Sequence, residues 1–338
     1  MKIDQRIPVR IWLAAAASLF LLLALLTSDG VQAAPELHWY KGNLHTHTAN
    51  SDGDSTPNDV ANWYKEHRYN FLVLTDHNFR TEIDGLNAVH AAKDRFLLIP
   101  GEEVTDSFAK APVHINGYDG SALVEPAHGQ SMVETIQRNV DAIRAVNGLP
   151  SVNHPNFGWA ITSKDLLEIR NLNLFEVYNG HPYVNNSGGG GVESMDELWD
   201  TLLTAGRKIN GIAVDDAHHF KQLGRDRSNP GRGWVVVRAA ELTRGAIRGA
   251  LATGNFYAST GVELADIRSS ESELRIDIKP TDTAKYRTYF IGAEGRILGK
   301  SLDNVAVYKI RGGEKYVRAR VEASTGDTAW TQPIYPAR

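Results

Sequence analysis

The chain has 338 residues, 42% apolar and 22% charged, with a formal net charge of −4; this is an ordinary globular composition and excludes general disorder or a fibrous repeat. It contains no cysteine, which excludes disulfides, Cys-ligated zinc, iron–sulfur clusters and thiol nucleophiles. The slight acidity argues against a nucleic-acid binder that works through a broad basic face.

Residues 1–34 read as a signal peptide. Lys2, Arg6 and Arg10 make a positive start, residues 11–26 carry no charge, and Val31-Gln32-Ala33 places small residues at a cleavage site. The apolar run is shorter than the roughly 20 residues that a spanning helix needs. Cleavage after Ala33 or Ala34, and export to the periplasm or beyond, are therefore expected, with no membrane attachment afterwards. The cut removes Lys2, Arg6 and Arg10 together with Asp4 and Asp29, leaving the mature chain at −5.

From residue 35 to 260 short apolar runs alternate with amphipathic stretches. Strands are expected at 40–45, 71–76, 96–100, 113–118, 149–154, 174–179, 209–215 and 234–238. Between them lie helix start signals. Thr56-Pro57 supplies an N-cap with Pro at the first helical position, followed by Val60, Trp63, Tyr64 and His67 at helical spacing. Ser131 with Glu134 reads as a capping box, Thr162 caps a helix through Leu166 and Ile169, and Ser194 one through Leu198 and Leu202. Repeated βα units predict an α/β fold with a parallel sheet, closed as a barrel or doubly wound.

Beyond Thr260-Gly261 the texture changes to short alternating runs with no convincing helix. Residues 261–338 are expected to form a small antiparallel β domain. The four glycines Gly188 to Gly191 mark a flexible loop, a candidate cover for the site.

Polar residues gather where the strands end. His45 and His47 close the first, Asp76-His77 the second, and Glu103 follows the third. His114 lies in the fourth, His154 ends the next, and Asp216 and His218 follow the one after. In α/β barrels the site is built at the carboxyl ends of the strands. Imidazole with carboxylate suits Zn, Mn or Fe, and His-x-His sends both rings to one side of an extended chain.

Gly42-Asn43-Leu44-His45-Thr46-His47-Thr48 with Ser51-Asp52-Gly53, Thr75-Asp76-His77-Asn78, Pro100-Gly101-Glu102-Glu103, Asn153-His154-Pro155 and Asp215-Asp216-Ala217-His218 resemble the motifs of the PHP (polymerase and histidinol phosphatase) family. The resemblance covers residues 39–257 and implies a distorted (β/α)7 barrel that holds two to three divalent metal ions. It implies as ligands His45, His47, Asp52, His77, Glu103, His114, His154, Asp216 and His218. One ion would take His45, His47, Glu103 and Asp216. A second would share Glu103 and add His114 and His154, and a third would take Asp52, His77 and His218. Asp76 is expected to orient His77 rather than to ligate. The Ala258-Ser259-Thr260-Gly261 and Ala329-Trp330-Thr331-Gln332-Pro333 signals, with the export segment, resemble the carbaryl-hydrolase-like exported branch with its C-terminal β domain.

The resemblance implies a hydrolase that uses a metal-bridged hydroxide, with Glu103 and Asp216 at the catalytic centre. Phosphoester hydrolysis of small phosphomonoesters or nucleotides is the favoured activity. Arg80, Asn78, Asn153, Asn179 and Arg225 are candidates to hold the substrate, Lys41 a further one, and His181 a candidate general acid. Hydrolysis of a carboxyl ester, amide or carbamate is the alternative and expects an apolar pocket, for which Phe79, Phe157, Trp159 and Tyr183 are available. A non-catalytic metal-containing binding protein is the third reading. The partner expected is a small-molecule substrate, with no stable nucleic-acid partner; the oligomeric state is left open.

Overall fold

A computed structural model describes residues 35–336, together with Met1. The expected cleavage site and apolar run lie outside the described residues. Residues from Leu37 onward form one compact unit, a mixed α/β fold around a single large sheet.

The first strands are β1 (His38–Asn43), β2 (Phe71–Leu74), β3 (Leu97–Phe108), β4 (Ala111–Tyr118), β5 (Leu149–Val152), β6 (Leu174–Asn179), β7 (Asn210–Val214), β8 (Trp234–Ala239) and β9 (Phe256–Ser259). They are followed by β10 (Leu264–Ser269), β11 (Glu273–Ile278), β12 (Tyr286–Ile291), β13 (Ile297–Ser301), β14 (Val305–Lys309), β15 (Arg318–Ala323) and β16 (Thr328–Thr331). One thirteen-stranded sheet runs β13-β12-β15-β16-β9-β8-β1-β2-β3-β4-β5-β6-β7, and β10, β11 and β14 form a second, three-stranded sheet.

Four helices begin where the sequence signals them, and two more, Asp84–His90 and Arg244–Thr253, were not expected. Thr56 accepts the Asp59 amide at 3.2 Å ahead of helix Pro57–Glu66. Thr162 with Asp165 and Ser194 with Glu197 close reciprocal capping boxes. At Ser131 only half of the expected box forms. The Ser131 hydroxyl accepts the Glu134 amide, but the Glu134 carboxylate takes the amide of Gln130, one residue too early.

Two features differ from a regular parallel array. First, β3 and β4 are antiparallel and joined by Ala109-Lys110, both in the left-handed region at φ 48° and 71°. Such a two-residue hairpin matches strand twist, and it sets β4 antiparallel to β5 as well. Second, the sheet does not close as a (β/α)7 barrel. β1 uses one edge for β2, parallel, and the other for β8, antiparallel, so β7 has no free edge of β1 to join. What remains of closure lies just beyond the strands. The Asp216 amide donates to His45 O and the His47 amide to Ala217 O, each at 2.9 Å.

Most of the interior is apolar. Val152, Phe175, Leu198 and Trp199 pack with the helices outside the sheet, and Leu44, Phe71, Val73, Ile212 and Val214 pack within its curve. The tail contributes four strands to the main sheet through the β9–β16 pairing, and its only helical element among the described residues is a 3-10 turn at Ala293–Gly295.

Candidate metal centre

The polar cluster sits past the carboxyl ends of β1, β2, β5 and β7 and beside the β3–β4 hairpin. Strand alternation turns His45 and His47 to the same side, with ring centroids 5.2 Å apart. Their Nε2 atoms converge on the same two carboxylates. His45 Nε2 lies 3.4 Å from Glu103 and 3.3 Å from Asp216, and His47 Nε2 lies 3.4 Å and 3.2 Å from them. Glu103, wholly buried, also faces His77 at 2.9 Å, His114 at 3.1 Å and His154 at 3.4 Å. The hairpin register places Thr105 opposite His114, so both strands of the arm present groups to the centre.

Asp52 reaches the cluster from the loop after β1, 3.3 Å from His218 and 3.6 Å from His77. Asp76 holds that loop in place. It accepts the Thr48 amide at 2.7 Å, the Thr48 and Ser51 hydroxyls at 2.9 Å each, and Thr81 at 2.5 Å. Asp76 therefore braces the Asp52 loop, and the expected contact with His77 is replaced by Thr105, whose hydroxyl meets His77 Nδ1 at 2.5 Å. Gly53 lies so close that a Cβ there would stand 2.7 Å from the carbonyl of His47, and the turn needs glycine.

Two of the nine residues have positive φ, His154 at 25° and Asp216 at 50°, a region few non-glycine residues enter, although Asn, Asp and His do so most readily. Each is pinned by its own amide, His154 N–H to Glu176 Oε2 at 2.7 Å and Asp216 N–H to His45 O at 2.9 Å.

Electrostatics keep the acids ionised. Burial alone would raise Glu103 and Asp216, but His45 and the other imidazoles around them outweigh it and hold both carboxyls well below the usual range. Four buried polar atoms in the cluster nonetheless have no hydrogen-bond partner: His45 Nε2, His47 Nε2, Glu103 Oε2 and His114 Nδ1. Orphaned buried donors and acceptors are costly. Four of them aimed at one small space fit a set of cation ligands, and the imidazole and carboxylate chemistry fits borderline divalent ions. All nine expected residues fall into groups of three or four whose ligand atoms lie within 4.8 Å of one another.

The remaining candidates are placed differently. Asn153 donates to Glu103 Oε1 at 2.7 Å, and Asn179 to Asp216 Oδ2 at 3.1 Å and Glu176 Oε2 at 2.8 Å. They orient the acids rather than face a substrate. Asn78 exchanges two hydrogen bonds with the backbone of Thr105 and braces β3. Arg80 turns away from the centre, donating to Gly120 O at 3.2 Å beside Glu102. Arg225 is exposed on its loop and lines no part of the centre. Lys41 lies over the rings of Trp234 and Tyr69, 3.7 and 4.0 Å from their centroids, and burial pushes its pKa down to about 8. In the Gly188 to Gly191 loop, Gly189 and Val192 exchange backbone hydrogen bonds, and Gly191 lines a separate cavity.

His181 does line the centre, with Phe157, in a cavity of about 140 Å³. Its Nδ1 accepts the Tyr183 amide at 3.2 Å, so the neutral ring carries its proton on Nε2, and burial lowers its pKa. That Nε2–H is the proton the expected general acid would present to the cavity. Phe79, Trp159 and Tyr183 are 44%, 42% and 68% exposed and are not among the cavity residues.

One residue central to this arrangement was not expected. Glu176, wholly buried in β6, accepts His45 Nδ1–H at 2.6 Å as well as the His154 amide. Its signal is a lone charge in the apolar run Leu174-Phe175-Glu176-Val177.

Neither a protein-family model nor a curated protein sequence matches the chain. Solved structures align with it to different extents. A two-domain protein from Bacteroides vulgatus containing a predicted PHP-like metal-dependent phosphoesterase is 17% identical, with 85% of this chain and 90% of that one covered at a TM-score of 0.49. A protein from Bifidobacterium adolescentis proposed to be a metal-dependent phosphoesterase is 13% identical over 56% of this chain and 89% of its own, at 0.41. An amidohydrolase from Chromobacterium violaceum with bound sulfate and no metal is 17% identical over 53% and 88%, at 0.37. All three lie below a TM-score of 0.5, so the chemistry below rests on the residues themselves.

Proposed function

We propose that this chain is an exported, PHP-like metal-dependent phosphoesterase acting on small phosphomonoesters or nucleotides. The observation that carries this reading is Glu103, one buried carboxylate facing five imidazoles at 2.9 to 3.4 Å, among orphaned ligand atoms. His45, His47, Glu103 and Asp216 would hold one ion, Glu103 with His114 and His154 a second, and Asp52, His77 and His218 a third. Divalent ions held there, Zn, Mn or Fe, would neutralise charge on substrate oxygens and activate water for attack at neutral pH.

The protein's own part is positioning. Asn153 and Asn179 fix the two central carboxylates, Glu176 fixes His45, and His181 offers an Nε2–H to an oxygen of the substrate or leaving group. Phe157 narrows the cavity, whose volume of about 140 Å³ suits a single phosphoryl-sized group with the rest of the substrate outside.

A second reading, hydrolysis of a carboxyl ester, amide or carbamate, is favoured by the lining itself. It includes Phe157 and, among the described residues, neither lysine nor arginine. The deciding experiment is a substrate panel on metal-reconstituted protein, with phosphomonoesters, phosphodiesters, carboxyl esters and carbamates assayed side by side. Turnover of phosphomonoesters well above the others is expected. Preference for carboxyl esters or carbamates would replace the first reading with the second, and turnover of none would favour a non-catalytic binding protein.

A further inference from the structure

Beside the metal centre, the segment after β6 and the turn between β15 and β16 border a second cavity, of about 640 Å³. Small-molecule sites commonly span a few hundred to a thousand cubic ångströms, and this one is several times larger than the cavity at the metal centre. Its wall includes the rings of Tyr178 and Trp330, stacked with centroids 6.1 Å apart and planes at 30°.

Two arginines and two aspartates also line it, and their charges are largely committed. Arg232 donates to Gly180 O at 2.9 Å and Gly224 O at 2.7 Å. Asp196 accepts Arg318 at 2.8 Å, Arg320 at 3.3 Å and the Trp330 indole at 3.0 Å. Arg320 also pairs with Glu322 at 3.1 Å. The Arg232 guanidinium donates to uncharged oxygens and meets no carboxylate, and Asp327 meets no cation among the described residues, but the lining charges balance, two of each sign. What the cavity still offers is hydrogen bonding to a neutral ligand. Tyr178, Ser187 and Asp327, with their polar side chains, border the space.

An aromatic wall beside paired carboxylates and guanidinium groups suits a polyhydroxylated molecule. The C–H faces of a sugar ring pack on the aromatic surface while its hydroxyls, each both donor and acceptor, bridge the polar rim. We propose that this cavity binds a neutral saccharide of one or two rings. Hydrogen bonds link this cavity to the metal centre. Asn186 lines it and exchanges two hydrogen bonds with the backbone of Asn179, at 2.9 and 2.8 Å, and Asn179 in turn holds Asp216. A saccharide seated there touches the loop that orients a metal-binding carboxylate.

Calorimetric titration of the metal-loaded protein with glucose, maltose and N-acetylglucosamine, and separately with inorganic phosphate, tests this. Saturable binding of at least one sugar in the millimolar range is expected. Ser187→Trp, which fills the cavity from its exposed rim, should abolish it, and Tyr178→Phe should weaken it by ~5-fold, the worth of one hydrogen bond. Metal content should be unchanged in both variants. Three sugars without saturable binding overturn the proposal. So does sugar binding that survives both substitutions, or phosphate binding that Ser187→Trp removes.

Discussion

Nδ1 of His45 and Oε1 of Glu176 lie 2.6 Å apart, both residues wholly buried. The pairing fixes a proton on Nδ1 and points Nε2 between Glu103 and Asp216. The other oxygen of the same carboxylate holds the amide of His154, so one side chain from β6 sets two members of the cluster. Carboxylate–histidine pairs of this kind raise ligand basicity and lock ring orientation.

Glu176→Gln should therefore weaken metal binding while leaving every direct ligand in place. A loss of ~10- to 100-fold in affinity is the scale for such a change. Competition titration against a chelating dye reads it directly. Unchanged affinity would mean that the sheet alone orients His45.

Glu103 and His77 make a second comparison. Glu103 faces five imidazoles, whereas His77 approaches only Asp52 and Glu103 among the acids. Glu103→Gln should cost more metal per chain than His77→Ala. Elemental analysis after gel filtration measures this, and equal losses would argue against a shared, bridging carboxylate.

For His181, the neutral Nε2–H predicts help for oxygens that leave reluctantly. His181→Asn should slow phenyl phosphate by ~10²-fold, the lower end of proton-donor effects, and nitrophenyl phosphate much less. A leaving-group series measured for both proteins gives the two slopes. Parallel slopes would assign His181 to shaping the cavity.

Stability offers a fourth measurement, at Glu102. Burial, partly countered by the Val124 amide and by Arg80, pushes its carboxyl from an ordinary 4.5 up to about 7. A folded-state value above the unfolded one means that the folded chain binds the extra proton. The contribution is present in full below about pH 4.5 and fades as pH rises through 7. Glu102→Gln should remove that slope, a relative gain of up to ~2 kcal/mol at pH 8 against pH 4.5 after allowing for partial solvent access. Urea unfolding at the two pH values tests it; the same slope in both proteins would place the titration elsewhere.

Eight of the nine cluster residues and four helix caps were legible because both are local facts, whereas Asp52, on a loop, came only with the family resemblance. A histidine or acid at the end of an apolar run is visible from spacing, and Thr162 or Ser194 announces its helix within four residues. Two kinds of information were not local. Which edge of a strand is used cannot be read from alternation, so the antiparallel β8 on β1 and the long β3–β4 arm, turning at Ala109-Lys110 without Gly or Asn, gave no warning. Nor does sequence say where a long or amide side chain ends up. Arg80, two residues past a metal-binding motif, finds Gly120 instead, while Asn153 and Asn179 bend inward onto carboxylates. Glu176 could have been found as a charge that burial would not tolerate without partners.

The pairing of β1 with β8, His38 opposite Ala239, has a consequence for synthesis. A chain made from its N-terminus completes His45 and His47 long before their partner strand exists, and such distant pairings close slowly. Asp216 and His218 follow late, and β9 gains its second neighbour only when Thr328–Thr331 arrives. Until then the growing polypeptide carries an open strand edge on β9, which is a template for pairing with other chains. Truncation from the C-terminal side should therefore endanger solubility first, through that uncovered edge, even though no ligand of the cluster lies in the removed segment.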